Sequence, residues 1–225
     1  MNKSTITSVV IIVLLVVVAV AWYGTKGPSS ITKGDRDSNA SSTESIPVSE
    51  TVKVSRTLSA YQNDELGFSV EYPNVWQREE GNAGVNFVIP LDKSQVSTVA
   101  TLLANVQVFS GTCAFPPVTT GVKERSTLKV EDRTFNMISL SSVVQGRTYN
   151  NRMYSLQKGK ICYMFSFSAI SQSLASQNLT GSRATQAENN NNVIVAETDK
   201  AFTEMVKSFK FVTGPAGKDE TQVKP

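Results

Sequence analysis

The chain has 225 residues, 40% of them hydrophobic, with 22 basic and 19 acidic side chains and no histidine. That length suits one packed domain of about 150 residues with appendages, and the near balance of charge argues against a dedicated nucleic-acid binder. Without histidine, Ser-His-Asp and Cys-His catalysis, histidine-ligated zinc and imidazole pH switching are all excluded.

From Ser4 to Thr25 there is no charged residue, and Val9 to Tyr23 is an unbroken apolar and aromatic run. A helix of that length covers about 30 Å, the thickness of the hydrocarbon layer. Trp22 and Tyr23 end the run where an interfacial aromatic anchor belongs. Lys3 precedes it, so the positive-inside bias keeps residues 1–5 cytoplasmic, makes 6–23 a transmembrane signal anchor in the lipid bilayer, and exports everything after it. A cleaved signal peptide competes with the anchor, because Ala19-Val20-Ala21 has the small-x-small spacing that signal peptidase accepts, with cleavage after Ala21. The anchor is favoured because the apolar stretch continues through that site. Both readings export the rest of the chain.

Residues 24–58 change character: 13 of the 35 are Ser or Thr, and five basic residues nearly cancel four acidic ones. Such a segment buries too little surface to offset its ordering entropy, so a flexible linker with a reach of about 30 Å is expected, with Val52 and Val54 as a candidate edge strand. Residues 213–225 are polar with Gly and Pro and read as a frayed tail. The folded unit is then 59–212, with 14 basic and 13 acidic residues. Steering toward nucleic acid or anionic lipid has no basis in it.

Within the unit, Gly67 to Tyr72 alternates apolar and polar residues, placing Phe68, Val70 and Tyr72 on one strand face, and Pro73 stops it. Further strands are expected from Trp76 to Glu80, Val85 to Leu91, Asn105 to Phe109 and Thr127 to Val130. After a Glu131-Asp132 turn, Thr134 to Val144 follows. Arg147 to Leu156 and Lys160 to Ala169 form a hairpin about Gln157-Lys158-Gly159. In its second strand Ile161, Tyr163, Phe165 and Phe167 share one face, and Cys162, Met164, Ser166 and Ser168 the other. Ser94 to Leu103 fits either a short helix or a loop. Phe202, Met205, Val206 and Phe209 recur at helical spacing, which predicts one late helix with Thr198 as N-cap and Asp199 in its first turn. Ser208 to Val212 returns to period two. Ile170 to Asn192, polar and holding Asn189 to Asn192, reads as an insertion-like loop.

Two stretches resemble PsbP-like domains. Asp64 to Trp76 is similar to their opening strand and Pro-x-x-Trp corner. Phe202-x-x-Met205-Val206-x-Ser208-Phe209-x-Phe211 is similar to their closing helix and strand. The resemblance spans about Tyr61 to Val212 and includes exported bacterial proteins. It implies an α+β fold, a central antiparallel sheet with flanking helices, here preceded by a single N-terminal transmembrane helix. It also implies an accessory, non-catalytic role.

Side chains able to carry chemistry are few. Asp64-Glu65 and Glu79-Glu80 are paired acids without EF-hand spacing or a visible third ligand, so solvated turns are expected, as for Glu131-Asp132-Arg133. No GxSxG, Walker or GxGxxG motif occurs, and SxxK spacing falls only at Ser30-Lys33 in the linker and at Ser126-Lys129 and Ser155-Lys158 at the ends of expected strands, where residues three apart point to opposite faces, so no catalytic residue, metal or cofactor is expected. Trp76, Phe87, Phe165 and Phe167 read as core. Asn39 and Asn178 head sequons that matter only in a eukaryotic secretory host. Cys113 and Cys162 lack CxxC spacing, and an exported chain with two cysteines usually pairs them, so a disulfide is expected to pin the Gly111 to Val118 loop. The expected function is a membrane-tethered domain that binds or scaffolds an envelope component, with Ile170 to Asn192 either a candidate contact surface or a solvated spacer. An envelope hydrolase using Ser-Lys or paired carboxylates is the alternative.

Overall fold

The computed structural model describes residues 57–115 and 121–212. Within them, period-two alternation becomes strand in nearly every place the sequence shows it. The strands are β1 (Leu58–Asn63), β2 (Phe68–Pro73), β3 (Gln77–Gly81), β4 (Gly84–Val88), β5 (Val99–Ser110), β6 (Val122–Val130), β7 (Arg133–Val144), β8 (Arg147–Lys158) and β9 (Ile161–Gln172). A 3-10 turn at Ala175–Gln177, helix α1 (Gly181–Ser208) and the short β10 (Lys210–Phe211) close the domain. The anchor at 6–23, the tails at 1–5 and 213–225, linker residues 24–56 and the edge strand at Val52 and Val54 lie outside the described residues. Among those described, no helix is long and apolar enough to cross a membrane.

Seven strands form one sheet in the order β3-β4-β5-β9-β8-β7-β6, and β1-β2-β10 form a second, three-stranded sheet. Every pairing is antiparallel. The two faces of β9 divide as its alternation requires. Phe165 and Phe167 pack toward α1, with Phe167 stacked on Phe202 and Phe165 edge-on to Phe209. Phe209 sits at the centre of this aromatic cluster, with Phe68, Phe135, Tyr163 and Phe211 also around its ring. Trp76, Phe87, Phe165 and Phe167 are all buried in the main core.

Several boundaries differ from the sequence expectation. The domain opens with a strand, Leu58–Asn63, where no strand was expected; its partner is β2 in full register from Leu58 opposite Pro73 to Asn63 opposite Phe68. Strand β5 starts at Val99, which resolves the Ser94 to Leu103 ambiguity in favour of strand from Val99 on, and β6 is nine residues long rather than the short Thr127 to Val130.

The largest correction concerns the helix. Thr198 is not an N-cap: α1 runs 28 residues from Gly181, and Thr198 lies inside it with its hydroxyl donating to the Ile194 carbonyl. Asp199 is likewise mid-helix rather than in the first turn. Ile170 to Asn192 is therefore not an insertion loop but the end of β9, a turn and the first half of α1. Instead of flanking helices, the described residues hold one α-helix, on one face of the sheet.

Four consecutive asparagines are poor helix formers, because their amides compete with the backbone for hydrogen bonds. Here the competition is resolved by tertiary partners. Asn191 Oδ1 accepts from Ser97 Oγ (2.7 Å) and from the Thr98 N–H (2.9 Å), its Nδ2 donates to Thr98 Oγ1 (2.8 Å), and Asn190 Nδ2 donates to the Val96 carbonyl (2.9 Å). Ala187, Ile194, Thr198, Phe202 and Met205 form the buried stripe that holds the helix down.

Strands β5 and β6 are consecutive in sequence but separated by β9, β8 and β7 in the sheet. Their connection must cross four strand spacings, about 19 Å. Its described beginning, Gly111 to Phe115, lies on the face away from α1, where Cys113 bonds Cys162. The Gln157 side chain holds the same segment, accepting from the Cys113 N–H (2.6 Å) and donating to the Gly111 carbonyl (3.0 Å).

Candidate functional site

The face of the large sheet toward α1 changes character along the strands. Near the β6–β7 turn it is apolar, with Phe135, Met137, Tyr154 and Leu156 in the core. Toward the opposite end β8 presents Thr148, Asn150 and Arg152 on the same face, since alternate residues of a strand point the same way. There α1 does not seal against the sheet. A polar groove of about 440 Å³ opens between them, lined by Thr98, Thr148, Asn150, Ser171, Gln172, Ser173 and Leu174 from the sheet side and by Glu188, Asn191, Asn192, Val195, Ala196 and Asp199 of α1.

Positions 188, 192, 195 and 199 recur every three or four residues, so one stripe of the helix forms the wall. At 1.5 Å per residue the stripe from Glu188 to Asp199 is about 16 Å long. The other wall stands on β8 and β9, interior strands paired on both sides, with one irregularity in the β5–β9 register between Val99 and Thr101. Both walls are therefore rigid, and the Asn191 bridge to Ser97 and Thr98 fixes their spacing.

Asp199 marks one end of the groove. Its Oδ2 meets Arg152 Nη1 at 2.5 Å, with both side chains largely buried. Arg152 Nε and Asp199 Oδ1 have no partner, so the pair is joined through one contact rather than a fork. Burial raises the Asp199 carboxyl above its ordinary value, Arg152 offsets part of that rise, and Glu124 adds a smaller upward push. Burial is the larger effect because a single-point contact recovers only part of a carboxylate's hydration.

The residues singled out from the sequence divide into three groups. Cys113 and Cys162 are brought together, with Cα atoms 5.1 Å apart and a disulfide between them. The acidic pairs stay apart. Asp64-Glu65 forms the β1–β2 turn, Glu79-Glu80 lies on the exposed edge strand β3 beside Arg78, and Glu131-Asp132 is the β6–β7 turn paired to Arg133. Among the described residues, no group of three or more Cys, Asp or Glu is placed to hold a metal. Ile170 to Asn192 supplies seven of the thirteen groove residues, although as strand, turn and helix rather than loop.

The Arg152–Asp199 pair was not legible in the sequence. The two residues are 47 positions apart, and neither belongs to a motif. A better signal existed for the helix, since Ala187, Ile194 and Thr198 lead at helical spacing into the Phe202, Met205, Val206 and Phe209 stripe.

These features define a class: an antiparallel α+β domain with a filled core, a disulfide-pinned crossing segment and a shallow polar groove. No family model matches the chain, and no curated protein does. Among solved structures it is similar to the cyanobacterial PsbP of Synechocystis (10% identity, covering 73% of this chain and 98% of that one, TM-score 0.40). It is also similar to the Ran-binding protein Mog1p of Saccharomyces cerevisiae (8% identity, 69% and 96%, TM-score 0.44). A third similar structure is a Bacteroides thetaiotaomicron protein (16% identity, 68% of this chain, TM-score 0.39), of which this chain spans about half, 47%. The PsbP likeness read from the two end motifs thus recurs among solved structures.

Proposed function

We propose that this chain is a membrane-tethered, non-catalytic extracytoplasmic domain that binds or scaffolds another component of the cell envelope. The observation that carries the reading is the groove, whose lining is mostly hydroxyl and amide residues beside an apolar strip, on a domain with a well-packed aromatic core. Recognition surfaces of this kind combine a fixed frame with a few convergent polar groups. Lys3 and the apolar run to Tyr23 support export with the N-terminus inside, and a disulfide suits an oxidising compartment. The Ser/Thr-rich segment between anchor and domain would let the domain search near the membrane, with an effective concentration set by its length.

The groove's chemistry weighs against the hydrolase alternative. Its two carboxylates, Glu188 and Asp199, stand about 16 Å apart along the helix, beyond the 5–10 Å that glycosidic pairs use. Its serines have no lysine among the lining residues. Asp199 is already engaged by Arg152.

Protease added to intact spheroplasts should release a soluble fragment of the 59–212 region. Protection of that region would sink the topology, and a mature N-terminus at Trp22 would replace the anchor with a signal peptide. Turnover of an envelope polymer by the purified full chain would overturn the non-catalytic part.

A further inference from the structure

We infer that the groove between α1 and the β8–β9 end of the large sheet binds a neutral, hydroxyl-rich chain, namely an uncharged oligosaccharide segment. The inference rests on the binding-module reading and names the ligand class of the same site.

The donor and acceptor inventory is the first argument. Thr148, Asn150, Ser171, Gln172, Ser173 and Asn192 line the groove. Hydroxyls and carboxamides both donate and accept, and of these six side chains only Gln172 Oε1, accepting from Gln177 Nε2 (3.1 Å), and Ser173 Oγ, accepting from the Ser176 N–H (3.2 Å), already have a partner among the described residues. A ligand made only of acceptors, such as a phosphate or sulfate ester, would leave half of that capacity unused. A sugar hydroxyl also does both, so a run of them suits the donors and acceptors that remain.

Charge is the second argument. No Lys or Arg lines the groove, and its two ionisable groups are both acids. An anionic polymer entering it would meet Glu188 uncompensated, whereas a neutral one meets only extra acceptors. Arg152 is not among the lining residues, and its charge is offset by Asp199 at 2.5 Å.

Shape and rigidity complete the case. The groove is long and open rather than enclosed, so a polymer segment can lie in it with both ends free. Leu174, Val195 and Ala196 give it an apolar strip against which the C–H faces of sugar rings can pack. Its walls are held by Asn191 before any ligand arrives, which lowers the ordering cost of binding. An extended peptide fits less well. The strands beneath the groove, β9 and β8, are interior and paired on both sides, so they offer no strand edge for backbone pairing.

The test uses the full chain in detergent micelles, titrated with N-acetylated chito-oligosaccharides and malto-oligosaccharides of about four units, followed by calorimetry. A uronic-acid oligosaccharide of equal length and a set of uncharged peptides serve as competitors. At least one neutral oligosaccharide should bind saturably, and the uronate should bind at least tenfold more weakly. Asn150→Ala, which removes one lining amide, should weaken binding at least tenfold. So should Ala196→Leu, which fills the groove from an exposed helix position and should leave thermal unfolding unchanged. Asn86→Ala, on the opposite face of the sheet, should leave affinity unaltered. Failure of every neutral oligosaccharide to bind, or binding indifferent to both groove variants, would overturn the inference. Groove-dependent binding of the uronate or of a peptide would overturn the ligand class while leaving the binding module intact. Release of shortened sugars would do the reverse, keeping the ligand class and ending the non-catalytic reading.

Discussion

Replacing both Cys113 and Cys162 by alanine should destabilise the domain chiefly through its unfolded state. The bridge closes a loop with a sequence separation of 49 residues. In the chain-entropy description, releasing a loop of that size costs about 4 kcal/mol at 25 °C. The folded state has other ties across the same place: Cys113 N–H to Gln157 Oε1, Gln157 Nε2 to the Gly111 carbonyl, and Gly111 N–H to the Lys160 carbonyl at 2.7 Å. These should keep Gly111 to Phe115 on the sheet, so the native fold survives while its margin shrinks. A domain of this size has a total stability of about 5–15 kcal/mol, and 4 kcal/mol corresponds to a fall in melting temperature of about 10 °C. Urea unfolding of wild type and double variant, each with and without reductant, measures the difference directly. The variant should match reduced wild type, and its m-value should rise because the unlinked unfolded chain exposes more surface. A loss under about 1 kcal/mol, or two free thiols in unreduced, denatured wild type, would refute the reasoning.

Three further outcomes follow from the packing and the charges. Phe209→Ala empties the centre of the aromatic cluster at a fully buried position and should cost about 3–5 kcal/mol in chemical denaturation; a cost below 1.5 would mean the cluster repacks. Gly84→Ala would bring a Cβ within 1.9 Å of the Val106 carbonyl oxygen, so the β4–β5 pairing must give way, with a loss of about 2–4 kcal/mol and early amide exchange in β4. For Asp199, a carboxyl whose folded pKa is raised adds stability below its unfolded value of about 3.9 and loses it as pH rises through the folded value. The stability difference between wild type and Asp199→Asn should therefore fall with rising pH in that acid window and be flat at neutral pH. A difference that rose there would show the Arg152 pairing outweighing burial.

Strand positions were legible because alternation is a local property. A residue such as Phe165 must face the core whatever strand lies beside it, and the split of β9 into an aromatic face and a Cys-Met-Ser face follows from its own spelling. The cysteine pairing was also within reach, since it depends on compartment and number more than on fold. The first half of α1 was announced only weakly, by Ala187 and Ile194 at helical spacing ahead of Thr198 and Phe202. Asn189 to Asn192 argue locally for a loop, and only Val96, Ser97 and Thr98, more than ninety residues away, supply the partners that let these amides sit in a helix. The groove exists for the same reason. It is the gap left where that helix meets the polar end of β8, and its walls come from segments that share no motif. Its ion pair likewise joins Arg152 to Asp199, each unremarkable in its own neighbourhood. Local spacing determines which face of an element is apolar, whereas the meeting of two polar faces is decided by tertiary packing alone.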